Sequence, residues 1–265
     1  MTKLRIVCAA AALAATASGG ALAETTANIG FMSDYIFRGY YQSESTPFAG
    51  IDVEAENGLY MGAWGANVKD GLEYDLYLGY SGGGENFTWY AGVTGYYYTD
   101  EFDDSYEELN LGFTTGFLTV DYALGNYNIS DSATDWNGNP LPMSAVDQQT
   151  YEYLGLTFTP EVGPYYFLGR TAYQALNTHD STVGRIPGTS KSGYWFEIGK
   201  SFEIIPDLDI NVAALYSGDV PQFPTNTPSS IKLGPAPIDL SAGAENAEYA
   251  LVVTLTKTIR MGGNN

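Results

Sequence analysis

The sequence predicts an all-β protein: a transmembrane antiparallel β-barrel of about twelve strands, with short periplasmic turns and longer extracellular loops. Three observations predict it. Apolar and polar residues alternate with period two along most of the chain. The alternating segments are mostly about nine to thirteen residues long, against about five or six for a globular strand and roughly 9–11 for a tilted strand that crosses a bilayer. The connections also sort by length, as the turns and loops at the two ends of a membrane barrel do.

The strands are read in order. Residues 26–38 set Ala27, Ile29, Phe31, Tyr35 and Phe37 on one face and Asn28, Asp34 and Arg38 on the other. Residues 48–56 alternate Ala49, Ile51, Val53 and Ala55 with Gly50, Asp52, Glu54 and Glu56. Asn57-Gly58 follows, the pair most favoured in a two-residue hairpin turn. Residues 59–68 return with Tyr60, Trp64 and Val68 on one face, and residues 72–80 oppose Leu72, Tyr74, Leu76, Leu78 and Tyr80 to Glu73, Asp75, Tyr77 and Gly79. The remaining strands are expected at 86–98, 106–115, 117–127, 148–159, 164–176, 193–204, 208–217 and 246–260.

Between them, the odd connections are 39–47, 69–71, 99–105, 128–147, 177–192 and 218–245. The even ones are 57–58, 81–85, 116, 160–163 and 205–207. Every even connection is short and the three long loops are all odd, a sorting that a soluble sandwich has no reason to make. An even strand count returns both ends of the barrel to one side. Pro221, Pro224, Pro228, Pro235 and Pro237 preclude a regular strand in 218–245.

Residues 1–23 read as a cleaved signal peptide. Lys3 and Arg5 form the positive region, residues 6–17 the apolar core, and Ala21-Leu22-Ala23 the small-residue cleavage site. Ser18-Gly19-Gly20 interrupts the apolar run before it could span a bilayer. Cys8, the one cysteine, lies inside this segment, so the mature chain has no disulfide. The domain division is therefore 1–23 signal and 24–265 barrel.

Composition excludes several classes. The 265 residues hold 31 Asp+Glu against 11 Lys+Arg, a net charge of −20, which argues against nucleic acid as a partner. At 45% hydrophobic residues with 22 Tyr the chain is too apolar for a disordered coil. In a membrane barrel the sheet must close, because lipid offers no partner to an open edge. Apolar faces then meet lipid and polar faces line the interior. Tyr35, Phe37, Tyr60, Tyr80, Tyr96, Tyr98, Tyr127, Tyr165 and Tyr194 near strand ends are expected to form interfacial girdles.

The polar face is acidic. Its parity gives Asp34, Asp52, Glu54, Glu56, Glu73, Asp75, Glu108, Asp121, Glu197, Glu203 and Asp209 as candidate pore-lining acids, with Arg38 and Arg170 as the bases. Such a lumen concentrates cations; the alternative is that these side chains only brace or solvate the barrel.

No catalytic site, metal site or cofactor is expected. His179, the one His, sits beside Asp180 with Ser181 and Ser192 nearby, in a polar loop where a solvated role is the simpler reading. One His and no mature Cys rule out a zinc site of the usual nitrogen and sulfur kind. Asp100-Glu101-Phe102-Asp103-Asp104 lacks the glycine and spacing of a calcium loop. Gly82-Gly83-Gly84 reads as a turn, with no Lys-Ser/Thr after it to make a phosphate loop.

The stretch ANIGFMSDYIFRGYYQSESTPFAGIDVEAENGLYMGAWGANV at residues 27–68 resembles the TorF family, whose members are designated outer-membrane porins. Its marks are Ser33-Asp34-Tyr35-x-Phe37-Arg38-Gly39, Gln42-Ser43 and Gly58-x-Tyr60-x-Gly62-x-Trp64, continued by Leu72-Glu73-Tyr74-Asp75-Leu76-Tyr77-x-Gly79-Tyr80. The likeness is specific over 27–80, weaker through Tyr127 and thin beyond. It implies an outer-membrane barrel and a pore, and brings no substrate or catalytic residue. The expectation is a porin-like channel for passive diffusion of small hydrophilic solutes or ions, with a cation preference. Outer-membrane lipid and the barrel-assembly machinery are its expected partners, and oligomeric state is left open. Competing readings are a closed structural or anchoring barrel, an outer-membrane enzyme, and a soluble barrel around an apolar ligand. The last strand ends near Ile259-Arg260 and is followed by Met261-Gly262-Gly263-Asn264-Asn265, so Tyr249, Leu251, Val253 and Leu255 are expected to carry recognition by the assembly machinery.

Overall fold

The computed structural model describes residues 24–69, 71–100, 105–127, 149–174, 178–180, 184–186, 191–218, 230–232, 237–239 and 248–261. The expected signal peptide with Cys8, the acidic run 101–104 and most of the three long loops lie outside them. The strands are β1 (Glu24–Phe37), β2 (Tyr40–Glu54), β3 (Leu59–Val68), β4 (Gly71–Gly84), β5 (Phe87–Tyr98), β6 (Tyr106–Thr115), β7 (Leu118–Tyr127), β8 (Gln149–Phe158), β9 (Tyr165–Gln174), β10 (Thr178–Asp180), β11 (Gly184–Ile186), β12 (Lys191–Ile205), β13 (Leu208–Gly218), β14 (Ser230–Lys232), β15 (Pro237–Asp239) and β16 (Glu248–Met261).

Twelve of them close into one antiparallel barrel, β1-β16-β13-β12-β9-β8-β7-β6-β5-β4-β3-β2. Each strand except at the seam pairs with its chain neighbours, the up-and-down order that tight hairpins produce. The seam is β1 against β16, running from Thr25 opposite Met261 to Met32 opposite Thr254. At its short-turn end Arg260 pairs with Asp207 at 3.0 Å and with Glu24 at 3.5 Å. The four remaining strands form two separate ladders, β10-β11 and β14-β15, within the long connections.

Glycine supplies the turns. Gly58 (φ 89°) and Gly116 (φ 57°) adopt the left-handed region that a tight β-turn requires. The Asn57-Gly58 connection is wider than a two-residue loop: Ala55 N–H donates to Leu59 O, and Asn57 Oδ1 accepts from Leu59 N–H.

Burial is inverted relative to a water-soluble protein. Large apolar side chains such as Leu76 (52% exposed), Val93 (54%) and Leu251 (64%) cover the outside, while Thr46, Glu73, Glu108 and Thr171 are buried within. The period-two pattern drives this, because a closed sheet has only an inside and an outside. Aromatic belts edge the outer face. Tyr80–Trp89, Phe87–Phe113, Phe117–Phe158 and Phe158–Tyr166 lie toward the short-turn end. Tyr74–Tyr97 and the chain Tyr194–Tyr216–Tyr249 lie toward the other.

The structure corrects several expectations. Of the expected girdle residues, Tyr80 and Tyr194 are exposed outside, whereas Tyr35, Tyr60, Tyr96 and Tyr165 are buried in the lumen and Phe37 and Tyr98 pack on its interior clusters. The Tyr127 side chain lies outside the described residues. Residues 39–47 are no open loop, because β1 and β2 form a continuous hairpin turning at Arg38-Gly39. Gly82-Gly83-Gly84 belongs to β4, paired with Trp89, Thr88 and Phe87. Pro237 begins β15, the one position in a short strand where its missing N–H costs little.

Candidate functional site

The site is the lumen, and its most constrained part is the β1–β2 hairpin. The β1–β16 ladder stops at Met32, and the β2–β3 ladder begins at Phe48 opposite Ala66. Residues 33–45 therefore pair in register only with each other, Asp34 with Glu44, Tyr35 with Ser43 and Phe37 with Tyr40, while Thr46 and Pro47 still pair with Met32 and Phe31. A bulge at Tyr35/Ile36 and the left-handed Ser45 (φ 56°) bend this segment.

The bend carries the tip across the barrel. Arg38 forms a bidentate ion pair with Glu108 on β6: Nη2 donates to Oε2 at 2.9 Å, and Nη1 donates to Oε1. Its guanidinium stands 4.1 Å from the Tyr153 ring centroid on β8. In the ring of twelve, β8 lies six strands from β2 and five from β1, on the opposite wall. Gly39 O accepts from the Ser217 hydroxyl on β13 at 3.3 Å. The hairpin thus touches the wall in three directions.

Glu108 is fully saturated. Besides Arg38 it accepts from Tyr151 Oη (2.5 Å), Tyr96 Oη (3.1 Å) and Asn110 Nδ2 (2.8 Å), so a carboxylate with no solvent exposure keeps its charge compensated. Asp75 and Glu73 lie beside this pair, Asp75 in the fields of Glu73, Glu108 and Arg38, and Glu73 accepting from Tyr35 Oη at 2.9 Å. One cation thus stands among three carboxylates. Tyr153, which the guanidinium covers, packs in a buried cluster with Trp195, Phe167, Leu215 and Ala123 and stacks on Trp195 at 5.8 Å.

Below the hairpin, tyrosines brace the other acids across strands. Tyr90 Oη donates to Asp121 Oδ1 at 2.7 Å; Tyr77 Oη donates to Asp52 Oδ1 and Tyr165 Oη to Glu197 Oε1. These rings lie over luminal glycines of neighbouring strands: Tyr90 on Gly112, Tyr77 on Gly62, Tyr60 on Gly79, Tyr165 on Gly199. A Cβ at any of these glycines would collide with the ring, so the notch lets each ring lie along the wall.

The expected lining residues sort as follows. Asp52, Glu73, Asp75, Glu108, Asp121 and Glu197 share the luminal face, and Arg38 is brought among them. Asp209 stands opposite Thr256 on the same face toward the short-turn end. Glu54 is half-buried at that end, opposite Glu24. Glu56 and Glu203 belong to the rim: Glu56 is exposed in the β2–β3 turn, and exposed Glu203 accepts from Asp207 N–H across the next turn. Asp34 faces Glu44 within the hairpin and joins neither network. Arg170 is on the outside, level with Leu154 and Tyr194 and exposed like them. Arg38 is the one basic side chain among the described residues held inside the lumen away from the rims. His179 pairs with Arg185 in the β10–β11 ladder, while Ser181 lies outside the described residues. Among the described residues no cluster of three or more metal-ligating side chains is found.

Sequence reasoning missed two features. The inward hairpin left a signal in residues 40–47, which continue β2 despite Pro47, and the glycine notches left one in the repeated Tyr-x-Gly spacing of β3 and β4, Tyr60-x-Gly62 and Tyr77-x-Gly79.

A closed barrel with an apolar exterior and a braced polar interior defines a membrane-spanning β-barrel protein. Residues 14–183 match the model of a family described as "Bacterial protein of unknown function (Gcw_chp)", and the chain belongs to that family. No curated protein matches. Solved structures similar to it include outer-membrane proteins of Pseudomonas. Pseudomonas aeruginosa OccK1 (OpdK) shares 10% identity with a TM-score of 0.40, over 89% of this chain and 66% of that one. Pseudomonas aeruginosa OprD shares 11% at 0.39, over 90% and 66%. A BenF-like porin from Pseudomonas fluorescens Pf-5 shares 12% at 0.39, over 87% and 59%. The chain spans just under two thirds of the length of the first two.

Proposed function

We propose that the protein is an outer-membrane, porin-like channel through which small hydrophilic solutes or ions diffuse passively, with a preference for cations. The observation that carries this is the inverted barrel: an apolar exterior around an interior lined by Asp52, Asp121, Glu197 and the Arg38 cluster. Lipid-facing apolar strands need a bilayer, and a luminal excess of carboxylates attracts cations. The resemblance of residues 27–80 to the TorF family supports the same reading, as does the signal peptide expected at 1–23. On this reading the short turns face the periplasm and the long loops the exterior, the protein inserts through the barrel-assembly machinery, and it carries no catalytic site.

A closed structural barrel is the second reading, favoured by one observation: the hairpin crosses the lumen and its tip is bonded to the opposite wall. Swelling of proteoliposomes separates the two. In isosmotic solutions of small sugars or amino acids, vesicles holding the folded protein should swell faster than protein-free vesicles, and rates should fall with solute size. Equal rates would favour the closed barrel.

A further inference from the structure

We propose that the β1–β2 hairpin is a releasable plug, latched in the lumen by the Arg38–Glu108 ion pair, and that the pathway through the barrel opens when this latch lets go. The inference deepens the channel reading and rests on it for its conductance consequence only.

Four observations carry it. Residues 33–45 pair only with each other, so their withdrawal breaks none of the strand pairing that closes the sheet. They are attached to other strands by single hydrogen bonds and ring contacts rather than by a ladder: Ser33 Oγ accepts from Val253 N–H, Ser43 Oγ donates to Asn67 O at 2.9 Å, Gln42 O accepts from Lys69 N–H at 3.3 Å, Tyr35 Oη donates to Glu73 Oε1 at 2.9 Å, and the Tyr35 and Phe37 rings pack on Trp64 and Tyr96. The base of the hairpin is already irregular, with Ser45 left-handed and a bulge at Tyr35/Ile36, so the segment has places to bend. Its tip is held to the far wall by a charged contact rather than by a strand ladder.

The chemistry of that contact suits a latch. A buried ion pair adds little net stability while formed, yet removing one partner leaves a buried charge uncompensated. Glu108 also accepts from Tyr96, Tyr151 and Asn110, all on wall strands, which makes the hairpin the moving part. When Arg38 leaves, Glu108, Glu73 and Asp75 lose the one cation between them. The vacated lumen then attracts external cations more strongly than the latched one.

The test uses Glu108→Gln, which keeps side-chain volume and one acceptor oxygen while removing the charge, with Arg38→Gln as the second variant should the first fail to fold. Hydrogen–deuterium exchange of the full barrel in detergent is read over residues 33–45, with the β6–β7 ladder as internal reference. The proposal expects exchange at least tenfold faster in the hairpin and unchanged in the reference, together with at least a twofold larger single-channel conductance. Hairpin exchange within twofold of wild type in a folded variant overturns the latch. The two readings fail separately. Faster exchange with no conductance in any variant upholds the latch and removes the channel, whereas conduction by wild type with unchanged exchange and conductance in the variant upholds the channel and removes the latch.

Discussion

Substituting Gly112 by alanine tests whether the luminal tyrosines depend on glycine notches. A Cβ at Gly112 would lie 2.6 Å from Tyr90 Cζ and 2.8 Å from Tyr90 Oη, closer than real Cβ contacts, so the ring must move. Overpacking of this kind costs about 1–3 kcal/mol. The same ring donates its hydroxyl to Asp121 at 2.7 Å, and losing a bond to a charged group costs about 1.5–3 kcal/mol more. The expected loss is roughly 2.5–6 kcal/mol. In a Tyr90→Ser background the ring that fills the notch is gone. There the same alanine should be neutral or stabilise by about 0.5–1 kcal/mol, because glycine is entropically costly in a strand. Gly84→Ala, where a Cβ meets nothing within 4 Å, is the control and should also be neutral or slightly stabilising. Urea titration of the barrel refolded in lipid vesicles, followed by tryptophan emission, measures wild type and these four variants. An equal cost for Gly112→Ala with and without Tyr90 would refute the notch.

Three further outcomes follow from the placement of side chains. Leu76→Arg, at the middle of the outer face of β4, should destabilise the bilayer-inserted barrel by about 2–4 kcal/mol, and Leu59→Arg at the strand end by about 0–1; equal costs in vesicle unfolding would contradict the lipid-facing assignment. Arg170→Ala should leave the reversal potential in a KCl gradient unchanged, because Arg170 stands among outward-facing Leu154 and Tyr194; a shift would place it in the pathway. Asp121→Asn should reduce cation preference in the same recording, since Asp121 faces the lumen; no change would remove it from the conducting wall.

The barrel was legible because alternation and turn chemistry agree over most of the chain. In β4, Leu72 to Tyr80 puts every second residue outside, and the structure keeps that register. Asn57-Gly58 and Gly116 marked turns that φ angles at the two glycines bear out. Parity failed where both faces are apolar. Tyr165, Tyr166, Phe167 and Leu168 give no alternation to count from, and a one-residue slip moved Arg170 from the outer face to the inner one. The hairpin was hidden for a different reason: Pro47 and the polar run Gln42 to Thr46 look like loop chemistry, yet the segment pairs with β1 rather than with lipid-facing neighbours. Arg38 was read as lining the lumen, but its partner Glu108 lies seventy positions away, a juxtaposition that only closure of the barrel creates. The luminal tyrosines misled for the same reason, since position near a strand end does not say which face a ring occupies.

The most direct test of the account is single-channel recording of the folded mature protein in a planar bilayer under a KCl gradient. The account predicts discrete, stable conductance steps with a reversal potential that favours K⁺. Silence from protein shown to be folded and inserted would contradict the channel, and a reversal potential that favours Cl⁻ would contradict the acidic lumen as its selectivity wall.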